Sequence, residues 1–176
     1  MKSISFQDSE GLNLTQAVLD GYKTMTRQVV SEQVEKDIEK HVTWLFRTSC
    51  KHAYIRKLME NESICIRYIR EHSPYNVGEV VSIQGTPHHI RITDVRVERL
   101  QDISDEDCMR EGITKVQPIA KDNSVRLCPF YMIKSQPNIC SLFVKEVFAK
   151  LTDAVYGRGT WDRNPLVWAY SFQSVN

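Results

Sequence analysis

Alternation and helical spacing of apolar residues divide the chain into strand-like and helix-like stretches. Residues 3–6, SISF, read as a short first strand. A helix follows, with Leu14, Ala17 and Val18 on one stripe. Asn13 and Gln16 stand at capping-box spacing before it, and Gly21 closes it at the position that favours a left-handed backbone. Val34, Ile38, Val42 and Leu45 recur at helical spacing and predict a helix over 31–47, with Glu35, Lys36, Glu39 and Lys40 on its solvated face. Residues 51–61 continue as helix, and 63–69, SICIRYI, alternate like a strand.

The second half opens on a turn, SPYNVGE, before the apolar run of Val80, Val81 and Ile83. Residues 88–103 make the clearest strand. Ile90, Ile92, Val95 and Val97 face a core, and Thr93-Asp94 shifts the alternation by one position, which predicts a bulge. Ser104 and Asp107 have capping-box spacing, and Asp105 and Glu106 suit the positive end of a helix dipole. Gly112 stops that short helix, with Glu111 in its last turn. Residues 114–140, broken by Pro118, Pro129 and Pro137, read as a long irregular loop. Ser141 starts a further helix with Phe143, Val147, Leu151 and Val155 inward. A glycine-rich turn over 156–165 leads to a closing strand at 166–172, LVWAYSF. This order predicts an α+β fold with a small, mostly antiparallel sheet or barrel. One domain over 1–176 accounts for it, with elaborations at about 31–72 (helical) and 114–140 (loop).

Composition narrows the function classes. The 176 residues carry 23 Lys and Arg against 22 Asp and Glu, a formal net charge of +1. That excludes a massively basic nucleic-acid coat and leaves room for a local basic patch. No stretch approaches the ~20 apolar residues that span a bilayer, and MKSISF has no apolar run behind it, so we expect a cytoplasmic protein without membrane partners. Five cysteines, Cys50, Cys65, Cys108, Cys128 and Cys140, form no CxxC pair. Reduced thiols packed as small apolar groups are the expectation, although Cys50, His52, Cys128 and Cys140 could gather round a metal. His88 and His89 would point to opposite faces of a strand and chelate poorly together. Phosphate-loop, GxGxxG, HExxH and GxSxG motifs are missing. We expect neither metal nor cofactor. Around Trp161, Asp162, Asn164 and Pro165 a structural turn is the default, with Trp161 as a base-stacking platform the alternative.

The stretch DGYKTMTRQ, 20–28, gathers one lysine and two threonines at Lys23, Thr24 and Thr26. A lysine amine acts as a base only where its surroundings favour the neutral form. A threonine hydroxyl is a poor nucleophile until a base takes its proton. Lys23 and Thr26 point to opposite faces of a regular strand, so a shared site requires a bend after Gly21. On residue chemistry alone a surface strand is the expectation for this stretch, and the residues by themselves do not select a site.

AVLDGYKTMTRQV resembles the helix and G-x-K-T-x-T-R motif of the ASCH domain family. YNVGEVVSI is similar to the family's Y-x-x-G-[DE] turn, and IRITDVRVERLQDISDEDCMREGI with WDRNPLVWAYSF to its long strand, short helix and last strand. These stretches cover about half of the chain. Tyr22 and Gln28 stand where members often carry arginine. The resemblance implies a PUA-like β-barrel with peripheral helices, of a phage or prophage type. It also implies that RNA or a modified nucleoside is bound in a pocket lined by Tyr22, Lys23, Thr24, Thr26, Arg27 and Glu111, with Tyr75 and Trp161 available for stacking. One bacterial branch of the family is an amidohydrolase that deacetylates N4-acetylcytidine. Its lysine base, threonine nucleophile and glutamate proton donor correspond to Lys23, Thr26 and Glu111, with Arg27 a contributor to oxyanion binding. A protein-interaction domain is the third alternative. An enzyme would show those three side chains converging in a closed pocket. A binding module would show an open basic cleft with exposed aromatics, and an interaction domain a broad apolar patch.

Overall fold

A strand with apolar residues at consecutive positions has to be covered on both faces, and LVWAYSF becomes the most deeply buried strand of the computed structural model. Residues 1–8, 11–37, 71–118 and 128–175 are described. In chain order the elements are β1 (Ser3–Ile4), α1 (Leu14–Leu19), β2 (Met25–Val29), β3 (Val80–Ile83), β4 (His89–Arg99), a 3-10 turn (Leu100–Asp102), α2 (Asp105–Arg110), β5 (Ile113–Val116), β6 (Phe130–Ile133), β7 (Gln136–Ser141), α3 (Val144–Tyr156), α4 (Thr160–Arg163) and β8 (Leu166–Val175). Residues 32–37 are also helical. The predicted remainder of the 31–47 helix, the 51–61 helix and the 63–69 strand lie outside the described residues.

Five strands form one sheet in the order β1-β3-β4-β8-β2, and β5-β6-β7 form a second. Every pairing is antiparallel except β1 with β3. The class is therefore α+β with mostly antiparallel sheets. Among the described residues the larger sheet is open, with β1 and β2 at its edges. Leu166 to Phe172 are all buried, as the unbroken apolar run requires. The expected bulge in β4 is present: the register against β8 shifts between Ile92 and Asp94, which keeps Ile90, Ile92, Val95 and Val97 in the core. Fully buried Tyr170 stands edge-on to Tyr75 at 5.3 Å and shares a 3.0 Å hydrogen bond with Ser73 Oγ. Tyr75 Oη donates to the Ser3 carbonyl at 2.7 Å, so the SPY turn is tied to β1.

Several local expectations change. Residues 114–140 contain β5 (from Ile113), β6 and most of β7 rather than a loop. Pro137 lies inside β7, where it is tolerated because β7 is an edge strand and needs fewer ladder donors. Asn13 precedes α1 in a left-handed conformation (φ 48°) and makes no capping bond. Asp8 Oδ1 accepts the Thr15 backbone N–H instead, at 2.8 Å, while the Gln16 amide bonds Asp20. Phe143 is 66% exposed, because α3 starts one residue later and its buried stripe runs through Val144, Val147, Phe148 and Leu151. Cys108 is buried, but Cys128 and Cys140 are exposed rather than packed. Cys50, His52 and Cys65 fall outside the described residues.

Candidate functional site

The site begins with sheet register. In antiparallel strands residues directly opposite one another share a face. Arg27 on β2 lies opposite Ala169 on β8, and Ala169 lies opposite Arg96 on β4. The alanine methyl between two arginines leaves room over this face for long side chains. Two residues along the same face, β4 contributes Glu98, opposite Val167. Thr26 belongs to the other set, opposite Tyr170.

Helix α2 lies over the arginine face. Ser104 Oγ caps it by accepting the Asp107 N–H at 3.1 Å. The Asp107 carboxylate is thus free for the arginines, with Arg96 at 2.7 Å and Arg27 at 3.1 Å. Glu111 is the C-terminal cap of α2, and Gly112 follows at φ 103°, a backbone that side chains rarely adopt. This turn aims Glu111 inward. Its Oε2 accepts from Lys23 Nζ at 2.7 Å and its Oε1 from Arg27 Nη1 at 2.9 Å. Lys23 Nζ also reaches the Glu111 carbonyl at 3.0 Å, placing a cation at the helix's negative end. Lys23 is 2% exposed, and Arg27 and Glu111 are 3% exposed.

Lys23 is not part of the β2 ladder. Its N–H bonds the Ala17 carbonyl at 3.0 Å, and the Thr24 N–H bonds the Arg110 carbonyl at 2.9 Å. Gly21, at φ 79°, supplies the turn out of α1 that allows this. The strand starts only at Met25. The change of direction thus lies at Gly21 and Tyr22, before Lys23, and the Thr24 carbonyl already accepts the Phe172 N–H at 3.0 Å in the ladder with β8. Although Thr26 and Arg27 alternate in face, Lys23, Thr26, Arg27 and Glu111 all border one cleft of about 370 Å³. Phe6, Tyr75, Phe148 and Tyr156 give the cleft aromatic walls, and Gln28 and Gln84 give it amides.

The other residues singled out from the sequence are placed as follows. Tyr75 lines the cleft but is buried and bonded to Ser3. Tyr22 is half-buried and carries the Lys134 ammonium 4.3 Å from its ring centre, at the tip of the β6–β7 hairpin. Thr24 Oγ1 accepts a long bond from Arg110 at 3.5 Å. Trp161 packs edge-on against Phe148 at 6.0 Å, and its backbone N–H is held by Asp153. Tyr22, Thr24 and Trp161 are not among the cleft-lining residues.

Residues overlooked in the sequence complete the electrostatics. Arg27 donates from Nε and Nη2 to Glu98, from Nη2 to Asp107, and from Nη1 to Glu111 and the Met25 sulfur. Burial opposes the Arg27 charge, but Glu111 and Glu98 outweigh it and hold the guanidinium above its ordinary pKa. Burial likewise opposes the Asp107 carboxylate, yet Arg96 and then Arg27 hold its pKa below the ordinary value. Tyr156 donates its hydroxyl to the Arg27 carbonyl and so covers the outer edge of β2. Burial, with Glu111 nearby, raises the Tyr156 pKa. At the centre of the cluster Lys23, Arg27 and Arg96 face Glu98, Asp107 and Glu111, so the charges balance. Only register could have revealed this. VRVER reads as an ordinary core-and-solvent alternation, and Asp107 as a helix cap.

Among the described residues no group of three or more His, Cys, Asp or Glu is arranged to hold a metal ion, and no helix is long and apolar enough to cross a membrane. Comparison with protein-family models, curated proteins and solved structures gave no significant match.

Proposed function

We propose that the chain binds RNA through a single base, or a modified nucleoside, in this cleft, as its resemblance to ASCH domains implies. On this reading the five-stranded sheet is the greater part of a PUA-like barrel. One observation carries the proposal: Lys23 and Glu111 meet, almost wholly buried, in a cleft with aromatic walls. A volume of about 370 Å³ lies within the range of small-ligand pockets. The balanced charges speak against an open cleft that tracks a phosphate backbone, where uncompensated cations are needed. Aromatic rings and side-chain amides suit the faces and edges of a base.

A second reading, hydrolysis of an exocyclic acyl amide, is favoured by the 2.7 Å contact between Lys23 and Glu111 in a cleft that Thr26 also borders. The reaction needs Lys23 as amine and Glu111 as acid, which differ from the ion pair by one proton moved across that contact. Lys23 then takes the Thr26 hydroxyl proton as Oγ1 attacks the acyl carbon. Glu111 protonates the leaving amine as the C–N bond breaks. Water releases the acyl group from Thr26 as the carboxylic acid.

The test is incubation with N4-acetylcytidine, following cytidine by chromatography and binding by calorimetry, for wild type, Lys23→Ala and Thr26→Ala. Thr26→Ala leaves the buried ion pair intact. Turnover that both substitutions abolish supports hydrolysis. Saturable binding of the nucleoside or of RNA without turnover, weakened in Lys23→Ala, leaves recognition alone. Neither binding nor turnover removes both readings.

A further inference from the structure

We infer that Arg27 is a positioning residue, which fixes the Glu111 carboxylate for Lys23 and makes no contact with the ligand. The inference rests on the reading that Lys23 and Glu111 serve the cleft. A guanidinium has five N–H donors, and all five are engaged: Nε and one Nη2 hydrogen on Glu98, the other Nη2 hydrogen on Asp107, and Nη1 on Glu111 and the Met25 sulfur. No donor is left for an oxyanion or a phosphate. The face of the guanidinium is occupied as well, by the Phe148 ring at 5.9 Å. The carbonyl of Arg27 is held by Tyr156, so its backbone is pinned beside the side chain.

What Arg27 does instead follows from the two oxygens of Glu111. Arg27 holds Oε1 and Lys23 holds Oε2, which fixes both the position and the rotation of the carboxylate. Without Arg27, the carboxylate could rotate and offer either oxygen to Lys23. Three carboxylates around one guanidinium also oblige it to stay charged and in place. A planar fork does this and an ammonium cannot, because the partners lie in different directions around one plane. Outer-shell groups of this kind typically change activity by 10–100-fold when removed.

The test uses Arg27→Lys, which keeps the charge and loses the fork, and Glu98→Gln, which weakens the hold on Arg27 without entering the ion pair of Glu111. Thermal unfolding establishes that each variant is folded. For N4-acetylcytidine we expect KM within threefold of wild type, and kcat lowered about 10–100-fold in Arg27→Lys and less in Glu98→Gln. A KM that rises in proportion to the loss of kcat/KM would mean that Arg27 touches the ligand, and would overturn the inference. So would an unchanged kcat. If wild type binds the nucleoside without turnover, the positioning role is decided by amine modification, and the same holds if it neither binds nor turns it over, in which case the proposed function falls. Trinitrobenzenesulfonate labelling of Lys23, followed by peptide mass spectrometry, should then run several-fold faster in folded Arg27→Lys, because Glu111 no longer holds the amine firmly. An unchanged labelling rate overturns the inference. If Arg27→Lys does not fold, the same labelling comparison in Glu98→Gln decides it.

Discussion

Breaking the ion pair between Lys23 and Glu111 should cost far more than breaking a pair at the surface, and unequally from its two ends. In Glu111→Gln the Lys23 ammonium, 2% exposed, loses its countercharge, and the single amide oxygen can serve Lys23 or Arg27 but not both, beside the backbone carbonyl at 3.0 Å. A buried charge left without its partner costs about 3–5 kcal/mol. In Lys23→Met the carboxylate still has Arg27 at 2.9 Å, so we expect about 1.5–3 kcal/mol, the cost of one charge-assisted hydrogen bond. The double variant no longer strands a cation and should be more stable than the sum of the single effects predicts, by about 2 kcal/mol. For a chain of this size about 2–4 °C in Tm accompanies each kcal/mol, so Glu111→Gln should lower Tm by roughly 6–20 °C. Urea unfolding of the four proteins, followed by circular dichroism, measures the cycle. Repeating it in high salt separates a buried pair, which is little screened, from an exposed one. Additivity within about 0.5 kcal/mol, or a coupling that vanishes in salt, would refute the claim that these two side chains meet out of reach of water.

Two further outcomes follow from the same cluster and its neighbours. Arg96 and Arg27 hold the Asp107 pKa below its ordinary value near 3.8, so its contribution to stability is complete above that value and is lost as pH falls through the lower folded value. Asp107→Asn should therefore melt below wild type at pH 7, with the gap closing as the pH is taken below 3.8, and a gap that stays constant in thermal scans contradicts this. Burial pushes the Cys108 thiol up to about 12, which at pH 8 leaves roughly one thiolate in ten thousand. Iodoacetamide at pH 8 should label exposed Cys128 and Cys140 within minutes and Cys108 only after denaturation, and equally fast labelling of Cys108, read by peptide mass spectrometry, would refute its burial.

The elements that periodicity predicted well are those whose patterns act locally. The one-residue slip at Thr93-Asp94 became the bulge opposite Ser171, because alternation reports directly which face a side chain takes. Ser104 caps α2 as its spacing requires, and Gly21 closes α1 at positive φ. The misses came where the partner was distant. ITKV and FYMI are each four residues long, too short to be distinguished from loop without the strand that pairs with them. The capping bond expected from Asn13 is made by Asp8, five residues earlier.

For the candidate site the same division holds more sharply. Residue chemistry nominated Lys23, Thr26 and Glu111 only with the help of a family resemblance, since a lysine and two threonines by themselves fit a surface strand better. Capping and alternation are short-range rules, so the chain's own pattern determined where α2 begins, where it stops, and that Glu111 stands at its end. Lys23 and Glu111 stand 88 positions apart, and nothing in the chain between them signals that the two will meet. That depends on α2 lying over the face of β2, on Ala169 leaving space between two arginines, and on Gly112 turning Glu111 inward. Burial then makes the difference. In water, such charges would each be solvated and nearly independent, but once the folded chain excludes water every cation needs its carboxylate. Lys23 and Arg27, ordinary surface residues by composition, are thereby joined with Glu98, Asp107 and Glu111 in one unit.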